Sequence, residues 1–167
     1  MNKILVTYAS RAGSTFEIAA YVAEVLRAAG ATVDVAPIPA VHEVKGYDAL
    51  VIGSAIRMGR WLPEAIAFVQ THHESLSHIP SAYFLVSGLL RNNDPEIRCK
   101  VLAYLDPVRK ILEPTSIGMF AGKIDYSRMD GFDRSIAEAV SSAEGDWRNW
   151  EAIRCWAQEL LPLLAHA

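Results

Sequence analysis

Five short runs of apolar and β-branched residues, each closed by a glycine, a proline or a hydroxyl residue, partition this chain at residues 4–9, 32–36, 49–52, 83–86 and 117–120. Several are continuously apolar rather than alternating. That pattern means burial on both faces, which a parallel sheet between two helix layers provides. Helical stretches separate the runs, starting near Thr15, Pro63, Pro95 and Trp147. Proline suits a first helical turn, and Asp94 is placed to cap the helix that Pro95 opens. The alternation predicts an α/β fold with a doubly wound five-stranded parallel sheet, order 2-1-3-4-5, and helices on both faces. Residues 1–167 read as a single domain, because a chain of this length that is 51% hydrophobic can bury one core.

One stretch departs from the alternation. Residues 123–145 form an insertion between the fifth strand and the last helix, and Phe132, Ile136, Ala139 and Val140 fall at helical spacing within it. The last helix is expected to run from Trp147 to about Leu161, stopped by Pro162, with Trp150, Ile153, Ala157, Leu160 and Leu161 on its sheet-covering side.

The first strand runs directly into Ser10-Arg11-Ala12-Gly13-Ser14-Thr15 and then a helix. A helix N-terminus carries unpaired N–H groups and a positive dipole end, a natural seat for phosphate. Gly13 permits close backbone approach, and the hydroxyls of Ser10, Ser14 and Thr15 add donors. No lysine stands in this loop, so it is not the Gly-Lys-Ser/Thr loop of nucleotide hydrolases, and it lacks the G-x-G-x-x-G dinucleotide spacing. Two further loops leave strand carboxyl ends: Gly53-Ser54-Ala55-Ile56-Arg57-Met58-Gly59-Arg60-Trp61 and Ser87-Gly88-Leu89-Leu90-Arg91. In open α/β sheets ligands bind beyond those ends. One phosphate cradle and two flanking loops suit FMN, held by Ser10–Thr15, by Ser54, Ala55, Ile56, Arg57, Met58 and Trp61, and by Ser87, Gly88 and Leu89.

On these residues the chain resembles flavodoxin-like FMN domains over essentially its whole length. Within them it is similar to the group containing the menaquinone-dependent protoporphyrinogen oxidases. The marks are residues 53–61, the Gly122-Lys123-Ile124-Asp125-Tyr126 segment with its insertion, and the entry to the last helix at 146–150. The resemblance implies an FMN cofactor and aromatic walls on the flavin ring. Trp61 is the aromatic residue of the second loop, the third loop has none, and Tyr126 is the candidate from the insertion. It also implies either an oxidoreductase acting on a small molecule, a porphyrinogen or a quinone, or an electron carrier serving a redox protein. A domain that has lost FMN is the least favoured reading, since the phosphate loop is intact.

Charge helps to separate the first two. The formal net charge is only −3, and Arg57, Arg60 and Arg91 stand on the two ring-side loops. A cation roughly 8 Å from a flavin contributes about 2 kcal/mol at an effective dielectric near 20. For a two-electron couple that is on the order of 40–50 mV. Such arginines favour two-electron reduction, so an enzyme is expected rather than a low-potential shuttle, and they also suit the carboxylates of an acidic substrate.

The remaining expectations are negative or peripheral. No basic face suggests nucleic acid. The five histidines and two isolated cysteines, Cys99 and Cys155, show no metal-ligand or disulfide spacing. No signal peptide or membrane-length apolar run is evident, so a cytoplasmic protein is expected, with peripheral contact at the inner face of the membrane through the insertion or last helix if a quinone is used. The tryptophans near the C-terminus are candidate anchors of a homodimer.

Overall fold

A computed structural model describes residues 2–139 and 143–165. Strands β1 (Lys3–Ala9), β2 (Thr32–Pro37), β3 (Ala49–Arg57), β5 (Ser81–Val86) and β6 (Ser116–Phe120) pair in parallel in the order β2-β1-β3-β5-β6, and the short β4 (Arg60–Trp61) pairs antiparallel with β3. Without β4 this is the order expected from the sequence. Helices α1 (Ser14–Ala28) and α7 (Trp150–Ala165) pack on one face. The other face is covered by α2 (Pro63–Thr71), α3 (His73–Leu76), α4 (Pro95–Ala103) and α5 (Asp106–Ile111).

Alternation along each buried strand divides the core. Ile4, Val6, Val51, Phe84 and Val86 meet Ile18, Val22, Leu26, Ile153 and Leu160. Leu5, Leu50, Ile52, Tyr83 and Leu85 meet Phe68, Val69, Val101 and Leu105 on the opposite face. Gly53, central in β3, is where the ring of Phe84 lies; a β-carbon there would fall inside that ring. Asp94 caps α4, its Oδ1 accepting from the amides of Glu96 at 2.8 Å and Ile97 at 3.3 Å.

Two boundaries differ from expectation. The segment after Gly53 is not a loop: β3 continues to Arg57, turns at Met58 (φ 51°) and Gly59 (φ 72°), and returns as β4. Positive φ at both central residues marks the tight hairpin turn whose twist matches its strands. The last helix starts three residues late and passes through Pro162. The Trp147 amide donates to Gly122 O at 3.2 Å, the Arg148 amide to Asp146 Oδ1 at 3.1 Å, and Asn149 Oδ1 accepts from Ala152, so the first helical turn forms only after Asn149. At the other end Leu160 and Leu164, one turn apart, are both buried, and this packing carries the helix past the proline.

The insertion is a folded flap. It comprises β7 (Lys123–Ile124), a single 3-10 turn at Tyr126–Arg128, α6 (Gly131–Ala139) and β8 (Gly145–Asp146), and its base is closed by antiparallel pairing of β7 with β8. The expected short helix is present. Val140, assigned to its apolar spacing, lies outside the described residues, as does His166.

Candidate functional site

A cavity of about 640 Å³ opens at the carboxyl ends of β1, β3, β5 and β6. Ser10, Arg11, Ala12, Ser14 and Thr15 form its end at the start of α1. Ala55, Ile56, Arg57 and Met58 form one side, and Ser87, Gly88 and Leu89 another. The structure thus gathers twelve of the residues proposed from sequence around one space.

The cradle is built by a short hydrogen-bond motif. Gly13 precedes α1 at φ 89°, and its amide donates to Ser10 Oγ at 3.0 Å. Having no side chain, Gly13 supplies no cap to the first helical amides. The first turn of an α-helix has no acceptors of its own for these donors. Hydroxyl side chains, uncapped amides and the dipole together form a donor set suited to a phosphate ester. Arg11 does not add free charge to it: both of its terminal nitrogens bond the Glu64 carboxylate on α2, one at 3.1 Å.

Four sequence candidates lie outside the cavity wall. Gly13 acts through its backbone, as above. Ser54 is fully buried; its Oγ accepts from the Leu62 amide at 3.0 Å and donates to Ala55 O at 2.9 Å, fixing the hairpin to the start of α2. Trp61 is not a ring wall. The hairpin folds it back into the core, fully buried, with its ring 4.9 Å from that of Tyr83. Its Nε1 is buried without a hydrogen-bond partner among the described residues. Tyr126 is half-buried outside the cavity lining, its amide donating to Glu144 Oε1 at 2.9 Å and its ring under the Arg134 guanidinium at 5.8 Å.

The arginines also separate. Arg57 lines the cavity but is ion-paired with Asp133 of α6, whose side chain is only 8% exposed. Arg60 is exposed on β4 and does not reach the cavity wall. Arg91 lines it, with its guanidinium over the Trp147 ring at 5.6 Å. The electrostatic effect expected of three cations therefore falls chiefly to one.

Sequence reasoning missed the residues that cover the cleft. Met129, Asp133 and Ile136 reach it from the flap, with Lys123 and Ile124 at its base. Tyr104, on the turn between α4 and α5, is the aromatic residue in the wall, close enough to Gly59 that a β-carbon there would lie 3.4 Å from its ring. No local signal marks Tyr104, since its neighbours in sequence are helix ends. The helical spacing of Ile136 was visible, but not which way it faced.

The flap is tied to α1. Glu17, in the first turn of α1, accepts from Arg128 at 2.8 Å and from Arg148; Arg148 also bonds Asp146 at 2.6 Å and is 7% exposed. The bond from Arg148, then that from Arg128, holds the Glu17 carboxyl below its ordinary range. Arg148 likewise lowers Asp146.

The family model of the flavodoxin domain matches residues 5–149, which include the whole cradle, both ring-side loops and the flap. The chain belongs to the flavodoxin domain family. This flavodoxin-domain chain is 32% identical over 178 aligned positions, covering 96% of each chain, to a protoporphyrinogen IX dehydrogenase [quinone] of Escherichia coli K12. It is 28% identical over 131 positions to the protein of that name from Leishmania major, covering 70% of this chain and 55% of the relative. The flavodoxin of Fusobacterium nucleatum bound to flavin mononucleotide has the same fold, with a TM-score of 0.59 at 13% identity over 98% of this chain and 99% of that one. Family membership supports a flavin cofactor. Among the described residues no helix is long and apolar enough to cross a membrane, and no cluster of side chains suits a metal ion.

Proposed function

We propose that this protein is an FMN-dependent oxidoreductase that oxidises protoporphyrinogen IX and passes the electrons to a quinone. The flap carries this reading. It places Met129, Asp133 and Ile136 over the carboxyl edge of the sheet and so makes a chamber for a small molecule, where a bare ring edge would suit a protein partner. The full-length similarity to the E. coli dehydrogenase, which includes the flap, supports the same conclusion.

Ser10, Ser14, Thr15 and the first amides of α1 would hold the FMN phosphate; Ala55–Met58 and Ser87–Leu89 would flank its ring. FMN, when bound, supplies the two-electron acceptor and donor. The chain's own contribution is positional. The Arg57–Asp133 pair fastens the cover, and Leu89, Ile124, Met129 and Ile136 give the chamber apolar wall, which suits a lipophilic quinone. Arg91 places one positive charge on the wall, where it would favour the anionic reduced form of a bound flavin.

The test is anaerobic turnover of protoporphyrinogen IX by the FMN-loaded protein, with and without a menaquinone analogue, read as porphyrin fluorescence. Quinone-dependent porphyrin formation is the expected result. Flavin reduction that proceeds only through a redox protein, without turnover of the porphyrinogen, would establish the carrier reading instead.

A further inference from the structure

We propose that Arg91, seated on the face of Trp147, is the specificity residue of the chamber and takes a peripheral carboxylate of a substrate whose body is an apolar ring. This rests on the oxidoreductase reading above and adds how the substrate is chosen.

Four cationic side chains line the cavity: Arg11, Arg57, Arg91 and Lys123. Three are already matched. Arg11 is held through two nitrogens by Glu64, Arg57 by Asp133, and Lys123 lies 3.8 Å from Asp125. Among the described residues Arg91 alone of the four has no carboxylate at ion-pair distance. Its contact is the Trp147 ring, 5.6 Å from centroid to guanidinium carbon. A cation–π contact uses none of the guanidinium N–H groups, and no hydrogen bond or ion pair among the described residues engages those of Arg91, so they are available for the paired bonds a carboxylate accepts. The platform is itself fixed: the Trp147 amide bonds Gly122 O, and a β-carbon at Gly145 would lie 2.8 Å from the Trp147 ring. Leu89, on the same 3-10 turn as Arg91 (Gly88–Asn92), and Ile124, at the base of the flap, supply apolar wall in the same cavity. A cation and an apolar wall in one cavity select a molecule with a carboxylate on an apolar body, which a plain quinone is not. Donor and acceptor would therefore be told apart by Arg91.

The experiment is calorimetric titration of the FMN-loaded protein with protoporphyrin IX and with its dimethyl ester, in the wild type, Arg91→Met, Arg91→Lys and, as a charge control outside the cavity, Lys110→Met. The diacid is expected to bind the wild type and Lys110→Met at least about tenfold tighter than the ester. Arg91→Met is expected to abolish the preference and Arg91→Lys to retain part of it, with FMN still bound. In turnover, Arg91→Met should raise KM for protoporphyrinogen about tenfold while the KM for quinone holds. No preference in the wild type, a preference that survives Arg91→Met, or loss of FMN from that variant would overturn the assignment. Discrimination that depends on Arg91 without any turnover would leave the assignment standing and remove the oxidase reading; turnover insensitive to Arg91 would do the reverse.

Discussion

Replacing Asp133 with alanine should unfasten the flap while leaving the phosphate loop intact. Asp133 sits on the flap and Arg57 on β3, so their ion pair spans the boundary between cover and body. Deleting one partner of a fully buried pair costs about 3–5 kcal/mol, whereas an exposed pair contributes about 0–1 kcal/mol. Here the carboxylate is 8% exposed and the guanidinium 26%, an intermediate case. We take about 2 kcal/mol for the equilibrium between docked and open flap, which is about 30-fold. The start of α6 survives the change, because the amide of residue 133 still donates to Asp130 Oδ1, at 2.7 Å in the parent protein. Hydrogen exchange by mass spectrometry, comparing peptides from 123–139 with sheet peptides, reads the effect directly. Flap amides should exchange about 30-fold faster while β1, β3 and β5 keep their protection. FMN should dissociate faster by a similar factor if the flap gates its exit. Asp133→Asn, which still accepts a hydrogen bond, should fall between. Unchanged flap protection in Asp133→Ala would refute the claim that this pair holds the cover closed.

Acid should loosen the same element by a different route. Glu17 and Asp146 are both held below the ordinary carboxylate range by arginines that join the flap to α1. Their contribution is therefore fully present above about pH 4.5 and lost as pH falls through their lowered values. Limited proteolysis of the flap from about pH 6 to about pH 3 should show it opening before the sheet unfolds; flap cleavage that begins only with global unfolding would contradict this. Trp61 makes a separate prediction for the core. Trp61→Phe removes a buried N–H that has no partner among the described residues along with some ring area, so the unfolding free energy from denaturant titration should fall by less than about 1 kcal/mol, whereas Trp61→Ala should lose about 3–5 kcal/mol. Equal losses in the two variants, or loss of FMN from Trp61→Phe, would show that the indole has a role beyond packing.

The sheet was legible because both-face burial writes itself locally: runs such as 49–52 and 83–86 can be little else, and their order follows from the connections. The cradle was legible for the same reason, since strand, loop and helix start are contiguous. What was hidden depends on direction. Trp61 and Met58 are three residues apart in one hairpin, yet one enters the core and the other is 79% exposed. Only the turn at Met58 and Gly59, with positive φ at both, decides which. Arg57 and Arg91 look alike in sequence; the first is matched by Asp133, 76 residues away, and the second is not. Tyr104 reaches the cavity only because α4 ends beside the hairpin turn.

The central claim is that the amides and hydroxyls opening α1 seat the phosphate of FMN. Parallel fluorescence titrations with FMN and with riboflavin, which lacks that phosphate, test it most directly. Two charge-assisted hydrogen bonds are together sufficient for FMN to bind about 100-fold tighter or more, at one flavin per chain. Equal affinity for the two flavins would place the phosphate in solvent and remove the basis on which the chamber has been assigned.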